Sequence, residues 1–267
     1  MKKHILFLLM SIIIIGCSDD KEEYTIYAEG FYKDMQKSIN MTRPEGSYNY
    51  PIVPGTDKWK EFESRDEMEK ACQVPVNILR EQSTQAVIQA LIEYPLCTDV
   101  FAWDNYQKGY NFVFQPLNAY QEFLKRDDAV NYIIERYKIV SATTFKYPFS
   151  HYFLEMFLAQ EYFIKQLSSK EKKDVVARCL DIINITNENP DFFDIYLRVG
   201  VSYFLMGRIM KYDNYTPFYD IFLVHPEWES FFEDDNYFVI TDEKLNTFLG
   251  TIFFTAYDYI EQGPVNE

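Results

Sequence analysis

The sequence predicts an all-α protein: an irregular α/α multi-helix bundle, with a superhelical path as its variant, behind an N-terminal signal and a flexible tether. Three observations carry that reading. Apolar residues recur with a period near 3.6, and nowhere with the period of 2 that marks a half-buried strand. Two capping boxes, Ser64-Arg65-Asp66-Glu67 and Ser168-Ser169-Lys170-Glu171, announce helix starts. Pro, Asn and Asp then punctuate the chain at intervals that suit short helices.

Lys2 and Lys3 precede an apolar run from Ile5 to Ile15, broken only by Ser11. That run is shorter than the roughly 20 residues a membrane-spanning helix needs. It ends in Ile14-Ile15-Gly16-Cys17, which resembles a bacterial lipobox. The resemblance implies that residues 1–16 are a lipoprotein signal peptide and that Cys17 carries the lipid, a membrane partner by anchorage. Residues 17–23 follow as an acidic tether too polar to bury apolar surface. An acidic cluster directly after the lipidated Cys also resembles the signal for display on the outer face of the outer membrane; a periplasm-facing anchor is the alternative. Residues 24–267 read as one all-α globular domain, with a place for subdivision near 141–150.

Within that domain, Tyr27, Phe31, Met35 and Ile39 fall at four-residue steps and suggest an N-terminal amphipathic helix. Residues 43–57 hold three prolines and two glycines, so they form an ordered loop. The Ser64 box opens a helix, Pro75 starts another at its first turn, and Ser83 or Thr84 caps a stronger one over 83–94. Tyr94-Pro95 ends it, because the residue before Pro is pushed out of the α region. Helices are expected over 106–114, from Asn118, and from Asp127 or Asp128. Longer ones follow over 170–186, 192–210 and 241–261. Gly200 and Gly207 in the second of these would let another helix approach closely, since glycine inside a helix costs about 1 kcal/mol without such a reason. Residues 212–237 read as loops and short helices. Helix-starting prolines show no fixed period, so a regular repeat array is disfavoured.

Several strings carry a resemblance: Arg43-Pro44-Glu45-Gly46-Ser47-Tyr48-Asn49-Tyr50-Pro51, Pro54-Gly55, Trp59, Ala71-Cys72-Gln73-Val74-Pro75, Ser83 to Ala90, Tyr94-Pro95 and Arg126-Asp127-Asp128-Ala129. As an ordered set over roughly residues 43–140, they resemble a group of lipoproteins and secreted proteins of unknown function from Bacteroidota-type bacteria. The resemblance implies a lineage and an envelope location. It brings no catalytic residues.

Charge narrows the function classes. The chain has 41 Asp and Glu against 26 Lys and Arg, a net charge of −15, and losing Lys2 and Lys3 with the leader makes the remainder more acidic still. Nucleic acid needs basic neutralisation and is excluded as a partner, as are anionic lipid headgroups. No phosphate loop, dinucleotide fingerprint, nucleophile elbow or zinc-protease motif occurs, so no catalytic residue, metal ligand or cofactor is assigned. Only His151 and His225 lie beyond the leader. His151 and Glu155 share a helix face, which reads as a structural or surface pair before a general base or metal ligand. Cys179 reads as a small core hydrophobe; Cys72 and Cys97 flank one helix and could bridge in an oxidising compartment. Paired carboxylates (Asp127-Asp128, Asp191 with Asp194, Asp234-Asp235) leave room for a hydrolase or lyase on an α/α scaffold.

Asp-Asn-Tyr occurs three times, at 104–106, 213–215 and 235–237. Such a tripeptide suits a turn in which Asp or Asn bonds nearby backbone while Tyr packs down. It also suits a sugar or peptide contact built from an aromatic face and short polar arms. The second reading makes Trp103, Asp104, Tyr106, Asn214, Tyr215, Trp228, Asn236 and Tyr237 candidate ligand-binding residues. It expects at least one of the five rings to be exposed in a concave patch. The leading functional expectation is a surface-anchored, non-enzymatic binding protein for a glycan, a peptide or an envelope partner. A carboxylate-dependent enzyme and a purely structural envelope component are the alternatives.

Overall fold

A computed structural model describes residues 43–103, 105–139, 149–188, 195–233 and 242–263. The leader, Cys17, the tether and the expected N-terminal helix lie outside the described residues. Those described are all-helical and contain no strand. None of their helices is long and apolar enough to cross a membrane.

The helices are α1 (Asp57–Lys60), α2 (Arg65–Ala71), α3 (Val76–Glu81), α4 (Thr84–Ile92), α5 (Tyr106–Phe114), α6 (Asn118–Phe123), α7 (Ala129–Ile139), α8 (Phe149–Leu158), α9 (Glu161–Ile164), α10 (Ser169–Glu188), α11 (Ile195–Tyr212), α12 (Thr216–Val224) and α13 (Asp242–Gln262). Two 3₁₀ segments, Cys97–Ala102 and Pro226–Phe232, fall among them. The chain divides into two compact units. Of the described residues, 43–103 and 109–129 belong to the first, and 105–108 with everything from Val130 to the second. The division falls ahead of the 141–150 stretch, and it places nearly all of α7 with the second unit.

The first unit is built on α4. Ser83 caps it, its hydroxyl accepting from the Ala86 N–H at 3.2 Å. Every residue from Ala86 to Ile92 is buried, so α4 is surrounded rather than laid on a surface, and it packs on α6. Burying each Val, Leu or Ile here contributes about 1.5–3 kcal/mol. The neighbouring helices have only four to seven residues apart from α5, too short to hold themselves by their own hydrogen bonds.

Side chains supply the ties. The Arg43 guanidinium forks onto Glu93, Nε to Oε1 at 3.0 Å and Nη2 to Oε2 at 3.2 Å, and Nη2 also donates to the Tyr48 carbonyl. Tyr50 donates to the Ala90 carbonyl, and Gln82 to that of Gly46, whose φ of 75° suits only glycine well. Asn118 pairs with the backbone of Val74, accepting from its N–H at 3.1 Å and donating to its carbonyl at 2.7 Å. Arg126 covers the Leu79 and Gln82 carbonyls at the end of α3, and Thr84 donates to Asp128. Many residues of the strings singled out between 43 and 129 are thus fastenings of this unit. Pro75 sits one position earlier than expected, at the N-cap of α3.

The second unit is built on long helices. Its second capping box forms in full: Glu171 N–H donates to the Ser168 hydroxyl, and Ser168 N–H to the Glu171 carboxylate. Helices α10, α11 and α13 pack on one another, with α8 against α11. The buried line of α13 is Phe248, Leu249, Ile252, Ala256 and Tyr259, while Tyr257 is 40% exposed. The α11 glycines do not serve a helix crossing. A Cβ at Gly200 would lie 2.1 Å from the Tyr106 hydroxyl, and one at Gly207 would lie 2.1 Å from the Phe232 ring. They make room for aromatic rings.

Candidate functional site

Asn105-Tyr106 and Asp213-Asn214-Tyr215, the described parts of two Asp-Asn-Tyr copies, lie at helix boundaries. Asn105 caps α5, its Oδ1 accepting from the N–H groups of Gln107 at 2.8 Å and Lys108 at 3.1 Å, while Nδ2 donates to the carbonyls of Ser230 and Glu233. At the end of α11, Asn214 takes the left-handed conformation at φ 52°, and Tyr215 N–H reaches back to the Met210 carbonyl. Asp213 pairs with Lys172 and accepts from the Tyr259 hydroxyl at 2.6 Å. Asn105 thus spends its polar arms on backbone, and Asp213 on the Lys172 and Tyr259 side chains.

The rings follow the same logic. Tyr106 is buried against Phe204 and Phe231, Tyr215 against Tyr259, and Trp228 beneath His225 and Phe248. These three candidates are corrected to core residues, because helices this rich in aromatics fill their interior with rings. Asn214 is exposed, but its neighbouring ring is not. Asp104, Asn236 and Tyr237 lie outside the described residues.

Trp103 is different. It is 39% exposed and lies in the first unit, where its ring centroid is 4.8 Å from that of Phe112, itself 41% exposed. The 3₁₀ segment ends just before Trp103, and Phe112 comes from the outer side of α5. The Arg65 guanidinium sits 4.3 Å from the Phe112 centroid, a cation–π arrangement. Arg65 is held there by Glu69 at 2.7 Å and by Asp99. Burial raises the Asp99 carboxyl above its ordinary range even though Arg65 pulls it down. Two half-exposed rings therefore stand beside a fixed cluster of one cation and two carboxyls. Phe112 and Arg65 were not among the expected residues; nothing in the sequence spacing joins them to Trp103.

The first unit also has an open hollow of about 420 Å³ lined by Ile52, Lys58, Glu61, Phe62, Glu67 and Lys70. Its charged groups are partly engaged already, Glu67 with the Glu63 N–H and Lys70 with Asp66.

A second concentration of polar groups is closed to solvent. In the second unit, Glu155 on α8 is fully buried; its Oε1 accepts from the Tyr137 hydroxyl at 2.7 Å and the Ser202 hydroxyl at 2.8 Å. The Tyr137 oxygen also lies 3.2 Å from Cys179 Sγ. His151, one turn earlier on α8, is buried as well, its ring 4.1 Å from that of Tyr152. His151 and Glu155 are thus both internal, and the hydrogen bonds to Glu155 come from Tyr137 and Ser202. Cys179 is the core hydrophobe anticipated, and burial lifts its thiol well above the ordinary value.

Cys72 and Cys97 form no disulfide with one another, and each is buried in the first unit. Burial pushes the Cys72 thiol up to about 12 and the Cys97 thiol well above its usual value, which makes both poor nucleophiles. Among the described residues no group of three or more His, Cys, Asp or Glu is placed to hold a metal ion. No family model matches the chain, and no curated protein or solved structure is significantly similar to it.

Proposed function

We infer that this chain is a lipid-anchored binding protein of the bacterial outer surface whose first unit carries the ligand contact, and that the ligand is a glycan. The observation that carries the reading is the Trp103–Phe112 pair. Large rings cost free energy when left in water, and here two adjacent ones remain about two-fifths exposed beside Arg65, Asp99 and Glu69. The apolar face of a sugar ring matches such a platform, and its hydroxyls match carboxylates and a guanidinium held in fixed positions. The acidic surface and the lipobox support an extracellular setting.

The test is a glycan array probed with the secreted form carrying Cys17→Ala, together with Trp103→Ala and Phe112→Ala in the same background. Binding by the parent and its loss in both ring variants is the expected result. A parent that binds only peptides moves the ligand class, and one that binds no glycan overturns it. Anchoring is tested apart from this: Cys17→Ala should leave the membrane fraction, and continued detergent-dependent fractionation would remove the lipid anchor from the proposal.

A further inference from the structure

Glu155 plays no part in that binding surface, and its surroundings define a different role. Its carboxyl is 0% exposed, and while Oε1 receives two hydrogen bonds, Oε2 receives none. An ionised carboxylate in this position would keep half of its charge without a donor, in a core lined by Phe153, Phe157 and Leu205 elsewhere on the same helices. A carboxylic acid fits without that cost, with its proton on Oε2 and its Oε1 as acceptor.

The groups facing it come from four elements. Tyr137 stands on α7. Arg178 and Cys179 stand on α10, the former favouring the ionised form. Ser202 stands on α11 and does not titrate in the relevant range. His151 stands one turn away on α8. Burial outweighs the two donors and Arg178, and pushes the carboxyl up to about 8 from an ordinary 4.5.

We propose that Glu155 is a proton-operated lock on the second unit: its neutral carboxyl lets α7, α8, α10 and α11 close around it, and its ionisation opens that packing to water. The sign follows from the two protonation states. In the unfolded chain the group ionises at its ordinary value, while in the folded chain it holds its proton to about 8. The stability it confers is therefore complete below that ordinary value, declines as pH rises through the window, and is gone above about 8. Each pH unit of that window is worth up to about tenfold in the folding equilibrium constant.

The experiment follows the full chain and Glu155→Gln by urea unfolding from pH 4 to 9, with amide exchange on α8 and α11 as the local readout. The parent should lose stability across the window and exchange faster in those helices above pH 8. Glu155→Gln should lose that part of the slope and be the more stable of the two at pH 8.5. Equal slopes in parent and variant overturn the proposal. Infrared spectroscopy of the parent guards against a variant that fails to fold. A protonated-carboxyl C=O band present at pH 6 and lost by pH 9, in step with α8 exchange, supports the lock; its absence at pH 6 overturns it.

Discussion

The two units hold themselves together by different means. The first is a set of short helices fastened by long polar side chains that reach across it: Arg43 to Glu93, Asn118 to Val74, Arg126 to the end of α3. In the second, three helices of 18 to 21 residues satisfy their own backbone and pack on one another, and Phe204 of α11 and Phe248 of α13 also pack on the Phe231 and Phe232 rings. Short helices leave a large share of their N–H and C=O groups without internal partners, so side chains must supply them. Long helices do not have this problem.

That contrast can be broken first at Arg43. Replacing it with Ala leaves Glu93, 4% exposed, without its forked partner. The expected loss is about 3 kcal/mol, the low end for breaking a buried ion pair, because Arg43 itself is partly exposed and Gln89 still donates to Glu93. Urea unfolding measures it, and amide exchange should place the damage in residues 43–56 and α4. A loss below 1 kcal/mol would mean that the loop is held by Tyr50 and Gln82 instead. Next in size is Asn118→Ala, which strips both partners from the Val74 backbone; about 2–3 kcal/mol is expected from the same measurement.

The matching probe in the second unit changes packing rather than polarity. Gly207→Ala pushes a methyl into the Phe232 ring and should cost about 1–3 kcal/mol, with faster exchange in α11. A neutral result would show that Phe232 can swing aside and that this core is looser than its aromatic contacts suggest. The smallest effect belongs to Ser83→Ala, about 1 kcal/mol for a lost cap, read as a shift in urea midpoint. If Ser83→Ala and Asn118→Ala cost the same, the cross-unit ties in the first unit are no stronger than local caps and the contrast fails.

Much of the fold was legible because helix periodicity and capping chemistry are local. The expected 83–94, 170–186 and 241–261 helices appear as Thr84–Ile92, Ser169–Glu188 and Asp242–Gln262, and 106–114 appears with the expected ends. The 192–210 helix appears as Ile195–Tyr212, its expected start falling outside the described residues. The site was less legible for the converse reason. Tyr137, Glu155, Cys179 and Ser202 come from four helices, and only His151 and Glu155 share a spacing that sequence can show. The Trp103–Phe112–Arg65 cluster likewise joins three elements. The Asp-Asn-Tyr copies had two readings, and the turn reading prevails at 105 and 214 because helix ends claim Asn before any ligand can.

The three buried thiols set a race. Cys72, Cys97 and Cys179 are each 0% exposed once the chain has folded. On the export route proposed above, the unfolded chain presents all three at once to an oxidising compartment, and any pair that joins there holds a geometry the folded residues do not use. Folding must therefore outrun oxidation. A polypeptide that folds first carries its own reducing shelter with it, and one that pauses is trapped by its own sulfur.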